Sequence, residues 1–243
     1  MDLFEVMNIP KPCAVGNTIF KKQFYDNADL SKADKDLFIS HIDKITWEYC
    51  LKPDTIYIPP YKDEEREYPE VEIIRAVVNG EVKTRRIAEI IMRTIPYPML
   101  LVFEHDGRIQ LYAAHQRTNL ADSTRNTIEE FICTDWIDFK SPSDTDRRFC
   151  EGLDATKFSF VNFYQFYADL INRIIAYNAA RQLGVEADPA DAAELKARMD
   201  RIAELDKQIA DLRAKMKKET QFNRRVELNV EIKQLEKTRN NTR

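Results

Sequence analysis

The apolar positions of this chain switch period along its length, and the clearest switch frames its centre. Met99 to Phe103 is an unbroken apolar run, and Ile109, Leu111 and Ala113 then alternate with Arg108, Gln110 and Tyr112. His105-Asp106-Gly107 lies between the two runs, and Asp-Gly in that setting is a strong hairpin signal. The first run is apolar on both faces and reads as a central strand covered on both sides. The second alternates and has one wetter face. Pro96 and Pro98 stand just ahead of the first strand, where a missing amide donor does least harm.

Ahead of the hairpin, residues 1–27 read as irregular, interrupted by Pro10 and Pro12, with Phe20, Phe24 and Tyr25 pinning the stretch to the body. Ser31, with Asp34 three residues on, opens a helix over 32–47 on the spacing of Leu37, Phe38, Ile42 and Ile45. The β-branched content of 55–58 predicts a short strand stopped by Pro59-Pro60, and the charges of 62–67 a solvated loop. Val71 to Val78 reads as a strand. A helix follows over 83–94, with Ile87, Ile90 and Ile91 on one face and Arg85, Arg86 and Glu89 on the other. Beyond Arg117 come a polar loop to Asn126, a strand over 131–139 containing Trp136, and a polar linker or lid over 140–148. The helix predicted over 158–183 is rich in aromatics such as Phe163, Phe166 and Tyr167, which pack it against the sheet, and Gly184 stops it.

From Pro189 the pattern changes in kind. Leu195, Ile202, Ile209 and Met216 recur every seven residues, with Leu205 and Leu212 in the paired positions, an a/d seam flawed at Arg198. The register fails at Asn223 and restarts as Leu228, Ile232 and Leu235. Residues 219–223 are therefore either a stutter in one helix or the corner of a helical hairpin, and the similar arm lengths favour the hairpin. The expected fold is α+β: a small mixed sheet covered by helices 32–47, 83–94 and 158–183 in a body of residues 1–185, then a helical hairpin or coiled coil over 190–243.

At 243 residues the chain suffices for one ordinary domain and an appendage, and a charged share of 32% fits a long solvated helical part. The net charge of −4 says nothing of partners, but it is unevenly spread. Of 37 Lys and Arg and 41 Asp and Glu, fourteen positives and ten negatives lie from Asp191 onward, which makes the body acidic and the arm basic. Four cysteines, Cys13, Cys50, Cys133 and Cys150, lie far apart without metal-ligand spacing, as suits reduced thiols. No apolar run approaches the ~20 residues that span a membrane, and Asp2 and Glu5 speak against a signal peptide, so a cytoplasmic protein is expected.

Nothing in the sequence amounts to a catalytic signature. His41, His105 and His115 have no paired spacing, no GxSxG, P-loop or GxGxxG occurs, and five glycines leave little for a phosphate-cradling loop. No metal or cofactor is expected. A metal-dependent nuclease needs carboxylates that converge near a lysine. Glu70 and Glu72 at one strand and Glu104 and Asp106 at the hairpin turn are the candidates, yet neither strand acid has a lysine two residues on. Around the arm's corner, Arg213, Lys215, Lys217, Lys218, Arg224 and Arg225 gather with only Glu219 to relieve them. Such a patch suits phosphates or an acidic surface, and Phe222 within it offers a ring to a base or to a partner's pocket.

Several stretches together carry a family likeness. They are Trp47-Glu48-Tyr49 through Leu51-Lys52-Pro53-Asp54-Thr55-Ile56, the strand Glu70 to Val78, Ile95-Pro96-Tyr97-Pro98 with its hairpin, and Lys218-Glu219-Thr220-Gln221-Phe222-Asn223-Arg224-Arg225-Val226-Glu227-Leu228-Asn229. In order across most of the chain, they resemble the bacterial domain-of-unknown-function family 4391. The resemblance implies no catalytic residue. It implies members encoded beside helicases, DNA methyltransferases and restriction subunits, and so a part in defence against phage. The expectation is a non-catalytic accessory or adaptor subunit of an anti-phage defence or restriction-modification complex, binding a helicase or methyltransferase, with DNA within reach of the basic corner. The alternatives are a metal-dependent nuclease of such a system and a structural protein self-associating through its coiled coil.

Overall fold

Local signals start most of the elements, and the computed structural model describes them over residues 2–80, 83–118 and 126–243. Asp2 accepts the amides of Phe4 and Glu5 and so caps helix α1 (Leu3–Met7). A 3-10 turn, Lys11–Cys13, takes up Pro12 and leads into strand β1 (Ala14–Thr18) and helix α2 (Lys21–Asn27). The stretch expected to be irregular is thus largely regular, because its prolines sit at the turn and not inside an element. Helix α3 (Lys32–His41) opens on a full capping box between Ser31 and Asp34.

Strand β2 (Ile42–Leu51) follows at once, then a single turn α4 (Pro53–Ile56), the two-residue strands β3 (Tyr61–Lys62) and β4 (Glu67–Tyr68), strand β5 (Val71–Val78) and helix α5 (Arg85–Thr94). The central hairpin is β6 (Met99–His105) and β7 (Arg108–Ala113). Asp106 and Gly107 both have positive φ, 48° and 75°, as a two-residue hairpin turn demands. Short strands β8 (Gln116–Thr118), β9 (Asn126–Ile128), β10 (Ile132–Cys133) and β11 (Ile137–Asp138) lead to helices α6 (Asp144–Gly152), α7 (Phe163–Leu183), α8 (Ala192–Lys218) and α9 (Phe222–Thr242).

The main sheet runs β1-β2-β5-β6-β7-β10, with β11 also on β7. Its pairs are antiparallel except β5 with β6, which lie parallel and are joined through α5. One face packs Ile74, Leu101 and Phe103 against Phe24 of α2, Phe38 of α3 and Ile87 and Ile91 of α5. The other packs Ile73, Leu100 and Leu111 against Phe163, Ile171 and Ile174 of α7, and takes in Ala192 and Leu195 of α8. The fold is α+β, a mixed sheet covered by helices with a helical hairpin after it.

Several predicted elements come out differently. The helix expected over 32–47 ends at His41, and the rest is β2. Two bulges in the β2–β5 ladder explain the misleading spacing. The first, between Ile42 and Lys44, inserts a residue so that Ile42 and Ile45 share one face of the strand as if they were a helical turn apart. The expected strand at 55–58 is instead α4, set by Pro53 at its first position and by the Thr55 hydroxyl, which accepts the Lys52 amide at 2.9 Å. The charged loop at 62–67 closes a small hairpin, Tyr61 opposite Tyr68 and Lys62 opposite Glu67. The strand over 131–139 is broken into β10 and β11, because Thr134 folds back on Leu111, its hydroxyl accepting that residue's amide at 3.0 Å.

The helix predicted over 83–94 starts at Arg85, and residues 81–82 lie outside the described residues, as does 119–125 of the polar loop. The linker or lid over 140–148 is a fixed helix, α6. Ser143 caps it, and its Asp146 accepts the Tyr177 hydroxyl at 2.6 Å and the Arg181 guanidinium at 3.2 Å. The long aromatic helix begins at Phe163, five residues later than predicted, where Asn162 accepts the Gln165 amide.

The arm is the hairpin. Leu195, Ile202, Leu205 and Ile209 of α8 are buried, as are Leu228 and Ile232 of α9, so the a/d seam is spent within one chain. Arg198, the flaw in the seam, donates to the Thr242 carbonyl at 2.6 Å and so satisfies the C-terminal end of α9. The corner needs no glycine, because the Glu219 carboxylate accepts the amides of Thr220 and Gln221.

One hydroxyl ties α7 to the sheet. Tyr167, fully buried, donates to the Met99 carbonyl at 2.7 Å and accepts the Ala114 amide at 3.1 Å, fixing the start of β6 and the end of β7 to the helix. Tyr167→Phe leaves both backbone groups unsatisfied in the core, and we expect it to lower the unfolding free energy by about 2 kcal/mol in urea denaturation.

Candidate functional site

The β2–β5 register sets Cys50 directly opposite Glu72, and the second bulge, between Trp47 and Tyr49, turns Trp47 to the same face. Glu72 sits near the start of a strand covered on both faces and is only 2% exposed. Its carboxyl accepts the Trp47 indole N–H at 2.5 Å on Oε2 and the Cys50 thiol at 3.3 Å on Oε1. Glu70 stands just before the strand, and one ligand atom each from Cys50, Glu70 and Glu72 lie within 4.8 Å of one another.

Burial pushes Glu72 up to about 7, Glu70 pushes the same way, and the Trp47 and Cys50 donors resist. Burial and then Glu72 raise the Cys50 thiol, so it is a protonated donor. Lys52 lies near both acids, but among the described residues neither Glu70 nor Glu72 makes an ion pair. Above Glu72 opens a cavity of about 760 Å³ between α2 and the end of α5, walled by Phe20, Phe24, Trp47, Ile95 and Tyr97.

The four acids named from the sequence do not converge. Glu70 and Glu72 do meet. Glu104 stands five positions beyond Met99, the partner of Glu72 in the β5–β6 ladder, or roughly 16 Å away at the usual strand rise. It also faces the other side of the sheet, where it takes Arg75 at 3.2 Å. Asp106 pairs with Lys140 at 2.7 Å in the turn. Trp47, Cys50 and Lys52 are not among the site residues expected from the sequence. Their signal was the facing register of β2 on β5, which a helical reading of residues 42–47 conceals.

At the arm's tip the corner brings the end of α8 to the start of α9 and gathers the predicted basic group. Arg213 pairs across the arm with Glu236, and Arg224 pairs with Glu227 one turn on in α9, each at 2.6 Å. Among the described residues Lys215, Lys217, Lys218 and Arg225 make no ion pair and are exposed. Three of these lysines fall in the last turn of α8, where cations also suit the helix dipole. Phe222 is 75% exposed, and Val226 (46%) and Val230 (50%) continue its face at steps of four residues.

The family model described as domain of unknown function DUF4391 matches residues 7–238. The chain belongs to the DUF4391 family. No curated protein and no solved structure matches it. The matched part of this DUF4391 chain includes both the Glu72 cavity and the tip of the arm. Among the described residues no helix is long and apolar enough to cross a membrane.

The raised pKa of Glu72 has a direct consequence for stability. A carboxyl whose folded pKa lies above its ordinary 4.5 contributes fully below that value, and the contribution is lost as pH rises to about 7. Glu72→Gln keeps the shape and removes the ionisation. The stability of wild type relative to this variant is therefore expected to fall between pH 4.5 and pH 8, read as the difference in urea midpoints at each pH.

Proposed function

We propose that this DUF4391 protein is a non-catalytic, cytoplasmic accessory subunit of a prokaryotic anti-phage defence or restriction complex, docking onto a helicase or DNA methyltransferase through the tip of its arm. The observation that supports it most is the exposed Phe222-Val226-Val230 stripe on the side of α9 away from the buried Leu228 and Ile232, bordered by Arg224, Arg225 and the lysines of α8. An aromatic anchor inside a basic border suits a partner with an apolar pocket in an acidic surface: the ring supplies affinity and the charges supply steering. The neighbourhood that the family implies narrows that partner to DNA-processing machinery. The same border, Arg213 included, is available to DNA phosphates once the subunit is docked.

The nuclease alternative keeps a smaller basis than it had in the sequence, namely Glu70 and Glu72 with Cys50 and Lys52 close by, since Glu104 and Asp106 lie elsewhere. Self-association has lost the a/d seam to the intramolecular hairpin and would have to use the Phe222 face.

The test is a pull-down of N-terminally tagged full-length protein from its host, with nuclease-treated lysate, comparing wild type with Phe222→Asp and with Arg225→Glu. A stoichiometric helicase or methyltransferase is expected with wild type and a loss of at least tenfold with either variant, because both changes act at an exposed site and leave folding intact. Recovery of the protein alone and monomeric overturns the reading. A dimer mass that Phe222→Asp abolishes favours self-association, and magnesium- or manganese-dependent DNA cleavage lost in Glu70→Gln favours the nuclease.

A further inference from the structure

Glu72 poses a separate problem from the arm. A carboxyl that is 2% exposed in a doubly covered strand meets two neutral donors, and Glu70 adds a second negative group beside it. Buried carboxylates are ordinarily matched by a cation, and here no ion pair reaches either acid among the described residues. The space for a cation is present: the cavity of about 760 Å³ is within the size range of small-molecule sites, and among the described residues Glu72 is the single carboxylate in its lining. Its walls are aromatic. Trp47 lies beside the carboxyl, while Phe20, 69% exposed, and Tyr97, 36% exposed, stand at the mouth. Two aromatic side chains left open to water in the lining of an acidic pocket suit a ligand that carries both positive charge and apolar bulk.

We infer that this cavity binds a small organic cation, with an ammonium or guanidinium group set against Glu72 and its apolar body held between Phe20, Trp47 and Tyr97. The Trp47 indole and the Cys50 thiol each hold one carboxyl oxygen in place, and the ligand's N–H groups approach the carboxyl from the cavity it lines. Because the cation selects the ionised carboxyl, binding strengthens as Glu72 loses its proton. The other titratable groups facing it are Cys50 and Lys52 from the β2 side and Glu70 from its own segment.

The inference is independent of the docking reading and is tested on full-length protein by isothermal titration with phenethylamine, tryptamine and butylguanidine, all cationic at the pH used. Neutral 2-phenylethanol, magnesium chloride and zinc chloride serve as comparisons. At least one of the three cations is expected to bind saturably, at least tenfold more tightly than 2-phenylethanol, with a gain of about tenfold between pH 6 and pH 8. Glu72→Gln should weaken it at least tenfold. Tyr97→Ala, at the partly exposed mouth, should weaken it several-fold, and this variant carries the test if Glu72→Gln does not fold. Absence of saturable binding by all three cations overturns the inference, as does unchanged affinity in the variants. Saturation by zinc or magnesium alone without response to the amines also overturns it, in favour of an inorganic ion held by Cys50, Glu70 and Glu72. A Glu72→Gln protein that still recovers the arm's partner separates this outcome from the docking result.

Discussion

Six residue pairs in parallel register, from Glu72–Met99 to Val77–Glu104, hold β5 against β6, and the rest of the body follows from that ladder. A parallel pair cannot be closed by a tight turn, so a crossover is required, and α5 supplies it across one face of the sheet. The opposite face then has to be covered from elsewhere in the chain, which is the work of α7. With both faces covered, neighbouring residues of β5 enter different cores: Ile73 meets the α7 side and Ile74 the α2, α3 and α5 side. Tyr167 locks the second arrangement by spanning from α7 to the backbone at Met99 and Ala114.

That same ladder makes Glu72 expensive to keep. On a face where the strand otherwise carries Ile74, Ala76 and Val78, a carboxyl loses its water and gains an indole and a thiol in return. An apolar side chain would fill the place without that penalty. Local choices that go against the global pattern tend to mark sites under another demand. The cavity that opens over this carboxyl, with aromatic walls and two rings exposed at its mouth, is the structural counterpart of that conflict.

The arm obeys different physics. Its helices hold each other through one apolar seam, and ion pairs such as Arg213–Glu236 and Arg239–Asp206 bridge them at the surface, where each contributes little. At its base Ala192 and Leu195 enter the core of the body and Met199 packs against it, and the far end stands with Phe222 in solvent. An anchor presented on a helical hairpin keeps its geometry without drawing on the sheet, so changes at the tip and changes at the cavity are separable.

Elements specified by their own neighbours were legible in the sequence. The Asp106-Gly107 turn, the Ser31–Asp34 capping box, the amphipathic α5, the stop at Gly184 and the heptads of the arm each depend on residues within a turn or two of one another. The basic group and exposed ring at the corner were legible for the same reason. Only the tertiary structure decided β2, whose bulges give a strand the spacing of a helix, and α6, whose Asp146 is anchored by Tyr177 and Arg181 from a distant helix. It also divided the four candidate acids. Cys50 and Trp47 reach Glu72 through the pairing of two strands, and the alternation of a strand sends Glu104 to the opposite face. Registers between segments far apart in the chain are set by which faces can be buried together, and that is a property of the packed sheet, not of any one stretch of residues.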